Sequence, residues 1–138
     1  YLYWAPVHWM SLGLEYFYED FDFNELPDIF GVDGVTTHRV VPQVSFFHRC
    51  GFSARLWASY IDQKRKFNEL YIPEDAVVSD QFWQVDAAIS YRLPKRYGIV
   101  SLVAKNLFDE EFNYIDSDPA NPKFLPEQQV FLTLTLQF

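Results

Sequence analysis

Residues 82–93 read Phe82-Trp83-Gln84-Val85-Asp86-Ala87-Ala88-Ile89-Ser90-Tyr91-Arg92-Leu93, and their alternation decides the fold. Trp83, Val85, Ala87, Ile89, Tyr91 and Leu93 share one parity, while Gln84, Asp86, Ala88, Ser90 and Arg92 take the other. A period of two places successive side chains on opposite faces of a β-strand, whereas an amphipathic helix needs apolar positions three and four apart. The segment therefore reads as a strand with one apolar face and one wet face.

The same period recurs along the chain. Met10, Leu12, Leu14, Tyr16 and Tyr18 alternate with Ser11, Gly13, Glu15, Phe17 and Glu19, and Phe52, Ala54, Leu56, Ala58 and Tyr60 alternate with Ser53, Arg55, Trp57 and Ser59. Further strands are expected over about 36–48, 98–108 and 128–138, with a stub at 1–5, and no segment carries a helical period. The expected fold class is all-β and antiparallel, with about six full strands and a stub.

Short links with turn chemistry fall at Ala5-Pro6-Val7-His8, His48-Arg49-Cys50-Gly51 and Pro94-Lys95-Arg96-Tyr97-Gly98, and long ones at 23–35, 67–79 and 110–126. Antiparallel strands joined this way collect the short links at one end and the long links at the other. Of the 19 acidic residues, only Glu15, Asp62 and Asp86 lie outside the windows 19–33, 69–80 and 109–127, which hold one basic residue, Lys123. The long-link end is thus expected to be strongly acidic, with Arg49, Lys95 and Arg96 at the other end.

The chain of 138 residues has the length of one domain, and its formal charge of -8 disfavours a nucleic-acid partner, which needs clustered Lys and Arg. Aromatic residues make up 20% of it at a mean hydropathy of only -0.14. No apolar run approaches the roughly 18 residues of a membrane helix, so any crossing of lipid must use strands. Cys50 has no disulfide partner in the chain and reads as an unpaired small residue.

His8, His38 and His48 are too scattered for a recognisable metal site and read as rim or turn residues. Asp116-Ser117-Asp118-Pro119 lacks the Gly and the later Glu of a calcium loop, although an acidic loop could loosely hold a divalent ion. Ser45 and His48, at odd spacing on one strand, fall on opposite faces and do not make a nucleophile and base. No catalytic, cofactor-binding or metal residue is assigned, and the chain is not read as an enzyme.

Two architectures accept strands with one continuously apolar face. A soluble sandwich or lipocalin-like barrel buries that face; a transmembrane barrel turns it to lipid and keeps a polar lumen. Three features favour the second. Trp4, Trp9, Tyr16, Tyr18, Tyr60, Trp83 and Tyr91 bracket the apolar stretches as interfacial girdles do, short and long links alternate as in outer-membrane barrels, and Glu15, Arg55, Asp86, Arg92 and Lys105 interrupt the wet face in mid-strand. Glu15, Arg55, Asp86 and Arg92 are the candidate lumen lining. They are expected to pair across neighbouring strands, or else to line a path or grip an internal plug.

The stretch Ser101-Leu102-Val103-Ala104-Lys105-Asn106-Leu107-Phe108-Asp109-Glu110-Glu111-Phe112 resembles the penultimate-strand motif of TonB-dependent outer-membrane receptors, in which Asn106, Leu107, Phe108, Asp109 and a following aromatic precede the last extracellular loop. The ending Leu132-Thr133-Leu134-Thr135-Leu136-Gln137-Phe138 is similar to that family's final strand, as Thr37-His38-Arg39-Val40, Gly51-Phe52-Ser53-Ala54 and Tyr60-Ile61-Asp62-Gln63 are to earlier segments. The resemblance covers nearly the whole chain, but only as the C-terminal portion of a barrel of about 22 strands. The family's N-terminal plug and energy-coupling box have no counterpart here, and the first residues carry neither an initiator Met nor a secretory signal, so residues 1–138 are expected to be a piece of a longer or processed chain.

The resemblance implies the outer membrane of a Gram-negative bacterium and import of a scarce, bulky nutrient of the siderophore, cobalamin or glycan class. It further implies coupling to a TonB-type energy complex through the absent plug, and contact with outer-membrane lipid and lipopolysaccharide. Leu132, Leu134, Leu136 and Phe138 look like the signal read by the outer-membrane insertion machinery. An acidic rim would repel a highly anionic ferric-catecholate and suits neutral or cationic cargo, or calcium bridging to lipopolysaccharide. No cofactor is implied, and the ligand stays unnamed. The other readings are the end of a passive porin or other outer-membrane barrel, and a soluble β-sheet binding domain.

Overall fold

The computed structural model describes residues 1–22, 32–67, 77–114 and 127–136. They form seven strands, β1 (Leu2–Val7), β2 (Met10–Asp22), β3 (Val32–Phe47), β4 (Phe52–Phe67), β5 (Val77–Arg92), β6 (Gly98–Lys105) and β7 (Gln129–Leu136), in one antiparallel sheet in sequence order. Among the described residues the only helical piece is a 3-10 turn at Pro94–Arg96, and no helix is long and apolar enough to cross a membrane. The all-β, antiparallel expectation holds. The sheet is open, since β1 pairs only with β2 and β7 only with β6.

The register carries the sequence parity across the whole sheet. Trp4, Leu12, Val44, Leu56, Ala87, Ala104 and Val130 form one row through all seven strands on the apolar face. On the opposite face Tyr3, Gly13, Gln43, Trp57 and Asp86 form another. Proline leaves local marks: the β3–β4 pairing lapses at Val41 and Pro42 while keeping its register on either side, and the β1–β2 register shifts between Trp4 and Val7, around Pro6. Both follow from the missing proline N–H. At the start of β6 the chain needs glycine, because Gly98 has φ +153° and a Cβ there would lie 2.0 Å from the Thr135 carbonyl oxygen.

Three boundaries differ from the expectation, each for a physical reason. β3, β4 and β5 are 16 residues long, and β3 and β5 reach into the stretches expected as the long links 23–35 and 67–79. In Ile61-Asp62-Gln63-Lys64-Arg65-Lys66-Phe67 the apolar alternation fades, yet backbone pairing continues to Lys66 opposite Val77. Ladder hydrogen bonds do not require apolar side chains. Conversely β6 stops at Lys105, short of 108, because Asn106 turns the chain with φ +52°.

The length of β4 also bears on the expected strongly acidic long-link end. Lys64, Arg65 and Lys66 stand at the long-link end, flanked by Gly34–Thr36 and Val77–Ser79. They add three basic residues to that end, where the described acids Glu19, Asp20, Asp22, Asp80, Asp109, Glu110, Glu111 and Glu127 still outnumber them, and the acids at 25, 28, 69, 74, 75, 116 and 118 lie outside the described residues.

Burial is inverted relative to hydropathy. Apart from Gly98 at the start of β6, the buried strand residues are Val35, Thr37, Val41, Gln43, Ser59, Ile61, Gln63, Phe82, Gln84 and Asp86, and every one of these lies on the wet parity of β3, β4 or β5. The apolar parity is open: Leu56 is 46% exposed, Trp83 53% and Leu132 73%. In a water-soluble sheet the apolar face is the covered one.

Candidate functional site

Two polar clusters organise the covered face. In the first, Tyr3 Oη donates to Glu15, Gln43 Nε2 lies 3.1 Å from both Tyr3 Oη and Glu15 Oε1, and Arg55 donates to Gln43 Oε1. Glu15 and Arg55 thus meet through an amide rather than directly. Gly13 makes this possible, because a Cβ there would sit 2.6 Å from Gln43 Cγ and 2.8 Å from the Tyr3 ring.

The second cluster surrounds Asp86, which is 2% exposed. Its Oδ1 accepts from Gln84 Nε2 and from the Asn106 backbone N–H, both at 2.8 Å, and its Oδ2 lies 3.6 Å from Lys105 Nζ. A buried carboxylate needs such partners, since desolvation without them costs several kcal/mol, on the order of 3–5 when one partner of a buried pair is lost. Trp57 joins the two clusters, with Arg55 Cζ 5.2 Å and Lys105 Nζ 5.8 Å from its ring centroid. Cation–π attraction draws both charges to the Trp57 ring.

Asn106 is the hinge between sheet and strap. Its side-chain amide donates to the Glu110 carbonyl and accepts from the Glu110 N–H, each at 3.0 Å, while the Leu107 N–H donates to the Val85 carbonyl at 2.8 Å. Asp109, with φ +53°, accepts from the Gln128 N–H at 3.2 Å, and Gln128 Nε2 donates to the Leu107 carbonyl at 3.0 Å. The two ends of the β6–β7 link are tied by these bonds. Beyond the tie the chain returns over the covered face: Phe112 stacks on Phe82 with ring centroids 4.1 Å apart, Tyr114 meets Phe82 edge-on, and the Asn113 N–H donates to Asp80, which also faces Arg65 at 3.8 Å. Ile61 and Phe82, with Phe112 and Tyr114 against them, form the apolar cluster beneath this strap.

The structure thus brings Glu15 and Arg55 together, places Asp86 in a neighbouring cluster with Lys105, and leaves Arg92 apart. Arg92 is exposed at the end of β5, where its backbone N–H donates to the Gly51 carbonyl beside the short turn. Asn106, Leu107 and Asp109 all hold the tie, while Phe108 projects outward at 75% exposure. Leu132, Leu134 and Leu136 lie on the open apolar face; Phe138 and the Asp116–Pro119 stretch lie outside the described residues.

Histidine and cysteine placements sharpen the sequence reading. His38 sits inside β3, not at a turn, with Nδ1 2.8 Å from Tyr16 Oη. His48 has left the strand that would have carried it with Ser45, and its Nδ1 lies 2.9 Å from Cys50 Sγ at the exposed turn. Sequence reasoning placed Lys105 on the wet face without pairing it with Asp86, and it missed Gln43 and Gln84 as partners of the charges. Their wet parity was the available signal, but uncharged glutamines on a strand do not announce burial. Compared with known proteins, the chain matches no family model, no curated protein and no solved structure.

Proposed function

We propose that residues 1–138 are the C-terminal portion of the β-barrel of a TonB-dependent outer-membrane receptor, an active importer of a bulky nutrient of the siderophore, cobalamin or glycan class. The observation that carries this is the inverted burial of β3, β4 and β5: their polar, hydrogen-bonded face holds the buried residues, while the apolar face that runs across all seven strands leaves Leu56, Trp83, Ile89 and Leu132 exposed. Soluble monomers rarely expose contiguous apolar patches beyond a few hundred Å². Hydrocarbon is the solvent that suits such a face.

The dimensions support the same reading. The apolar alternation runs nine residues in β2 (Met10–Tyr18), β4 (Phe52–Tyr60) and β5 (Trp83–Tyr91), against about 9–11 residues for a tilted membrane strand. Aromatic residues stand at its margins, with Tyr60 and Trp83 directly paired, ring centroids 5.0 Å apart. Open edges are not stable in lipid, so β1 and β7 would be paired by strands elsewhere in the barrel. Under this reading the Glu15–Gln43–Arg55 and Asp86–Lys105 clusters face the lumen, where a plug would sit. The choice of a receptor over a passive porin rests on the resemblance around Asn106–Asp109.

The test is fractionation of the full-length protein, with migration compared before and after heating in detergent. Outer-membrane partition with heat-modifiable migration is expected. A monodisperse monomer that unfolds cooperatively without detergent would overturn the proposal. Ligand uptake that persists after the proton-motive force is collapsed would replace the receptor by a passive pore.

A further inference from the structure

The short-turn end of the sheet is free of acid. No Asp or Glu falls within 1–14, 34–61 or 87–108, the stretches that carry the β1–β2, β3–β4 and β5–β6 turns. Arg49, Arg92 and Lys95 stand exposed there. Among the described residues none of the three has a carboxylate partner; the ion pairs are Arg65–Asp80 and Lys105–Asp86. Hydrogen bonds fix the backbone that presents them. The His48 N–H donates to the Phe52 carbonyl at 2.8 Å and the Gly51 N–H to the His48 carbonyl at 3.0 Å, while the Arg92 N–H reaches the Gly51 carbonyl and the Leu93 N–H the Gly98 carbonyl, both at 2.9 Å. Beside Arg49 lies a hollow of about 210 Å³, lined by Trp9, Phe46, Phe47, His48 and Phe52. All four of its aromatic residues are exposed.

We propose that this end of the sheet docks an extended acidic segment of a partner protein, with one apolar side chain in the aromatic hollow and carboxylates on Arg49, Arg92 and Lys95. The inference goes beyond the barrel reading, because it concerns the strand ends and not the solvent of the open face. The hollow is smaller than the roughly 300–1,000 Å³ of a small-molecule pocket and has room for a single side chain. Phe47 and Arg92 lie on the polar parity, turned away from the open apolar face, with Phe47 opposite Ser53 and Arg92 opposite Ile99. A bilayer against the apolar face does not reach them, whereas a chain in water that crosses the strand ends does. The β3–β4 and β5–β6 turns are two strands apart, roughly 10 Å, which about three extended residues span. Cations on turns already ordered lower the cost of docking.

The experiment measures fluorescence anisotropy of a labelled peptide of about six residues, with Phe first and Glu third and sixth, against the full-length protein in uncharged detergent. It compares wild type, Arg49→Gln/Arg92→Gln/Lys95→Gln, and Lys64→Gln/Lys66→Gln, whose side chains are exposed at the opposite end. Each exposed charge pair contributes about twofold, so the triple variant should bind about tenfold more weakly, and the Lys64/Lys66 variant should match wild type. A peptide with Gln in place of Glu should bind wild type as weakly as the triple variant binds the acidic one. Phe47→Ala should weaken both peptides alike. Arg49→Glu/Lys95→Glu should come to prefer a peptide with Lys in place of Glu, a gain that misfolding does not produce. Equal affinity of wild type and the triple variant for the acidic peptide overturns the site. Displacement of the peptide by equimolar phosphatidylglycerol assigns the cations to a membrane surface and overturns the protein partner. Heat-modifiable migration is scored separately, so the membrane reading and the docking surface fail independently.

Discussion

The two faces of this sheet are built from the same strands, yet they follow opposite rules. On one, Leu56, Trp83, Ile89 and Leu132 stand open although hydropathy would bury them; on the other, Gln43, Gln63, Gln84 and Asp86 are covered although hydropathy would expose them. What covers the polar face of β3, β4 and β5 is its own interlocking: long side chains that bond across strands or, for Gln84 and Asp86, along one, and a strap from Asn106 to Tyr114 laid over Ile61 and Phe82. Cohesion there is polar, and among the described residues only Val35, Val41, Ile61 and Phe82 are buried hydrophobics. Hydrogen-bonded glutamines and a partnered carboxylate take the place of an apolar core. The network is not fully satisfied, since the buried Gln84 Oε1 has no hydrogen-bond partner among the described residues, and the partners that do exist matter the more for it.

The hardest blow to this contrast is a charge on the open face. Leu56→Arg, in the row that crosses all seven strands, is expected to destabilise the full-length protein in lipid vesicles by about 2–4 kcal/mol, the cost of a cation near a bilayer midplane. Denaturant-dependent folding into vesicles, followed by migration on gels, measures it. In water the same change would be neutral or would raise solubility. A neutral result in vesicles therefore assigns this face to water.

A smaller effect is expected at the clasp. Asn106→Ala removes a fully buried amide and strands the Glu110 N–H and carbonyl, costing about 2 kcal/mol, and Ala also disfavours the left-handed backbone. Asn106→Gly separates the two causes, because glycine accepts φ +52° without strain and still lacks the amide. If Gly restores wild-type denaturant resistance, the turn conformation alone matters and the paired bonds to Glu110 contribute nothing measurable.

The asymmetry between faces explains what was legible in the sequence. Period-two alternation marked Met10–Tyr18, Phe52–Tyr60 and Phe82–Arg92 as strands and assigned each residue to the right face, since parity survives any register. Strand length was less legible: Lys64, Arg65 and Lys66 continue β4 through backbone pairing that leaves no trace in side-chain hydropathy. Glu15, Arg55 and Asp86 were visible as charges on the wet parity, but their partners were set by cross-strand register, which puts Gln43 opposite Gly13 and Trp57 opposite Asp86. Arg92 had the same parity and lies too near the short turn to join them. The motif Asn106–Asp109 was conspicuous in sequence; that Asn106 would be buried and end β6 depends on two positive φ angles, at Asn106 and Asp109, that no periodicity reveals.

Gln43 offers a gentler break. Gln43→Ala leaves Glu15 bonded to Tyr3 but removes the amide shared by Glu15 and Arg55, at a cost of about 1 kcal/mol. A double-mutant cycle of Gln43→Ala with Arg55→Ala should show coupling of similar size, because the two side chains touch. Additive losses would mean that the network on the covered face is not cooperative.

The least perturbing comparison uses two native fluorophores. Trp83 stands on the open face beside Tyr60, and Trp57 on the covered face between Arg55 and Lys105, yet they lie on adjacent strands only a few residues apart along the sheet. In full-length protein with all other tryptophans changed to phenylalanine, Trp83 should be strongly quenched by lipids brominated high on their acyl chains and less by those brominated near the chain ends, since an interfacial ring sits close to the headgroups. Trp57 should be indifferent to bromine at either depth and respond instead to aqueous acrylamide, weakly where the network shields it. Equal quenching of the two by brominated lipid would show that the faces share one environment, and the inverted burial would then need another cause. Quenching of Trp57 alone would reverse the assignment of inside and outside.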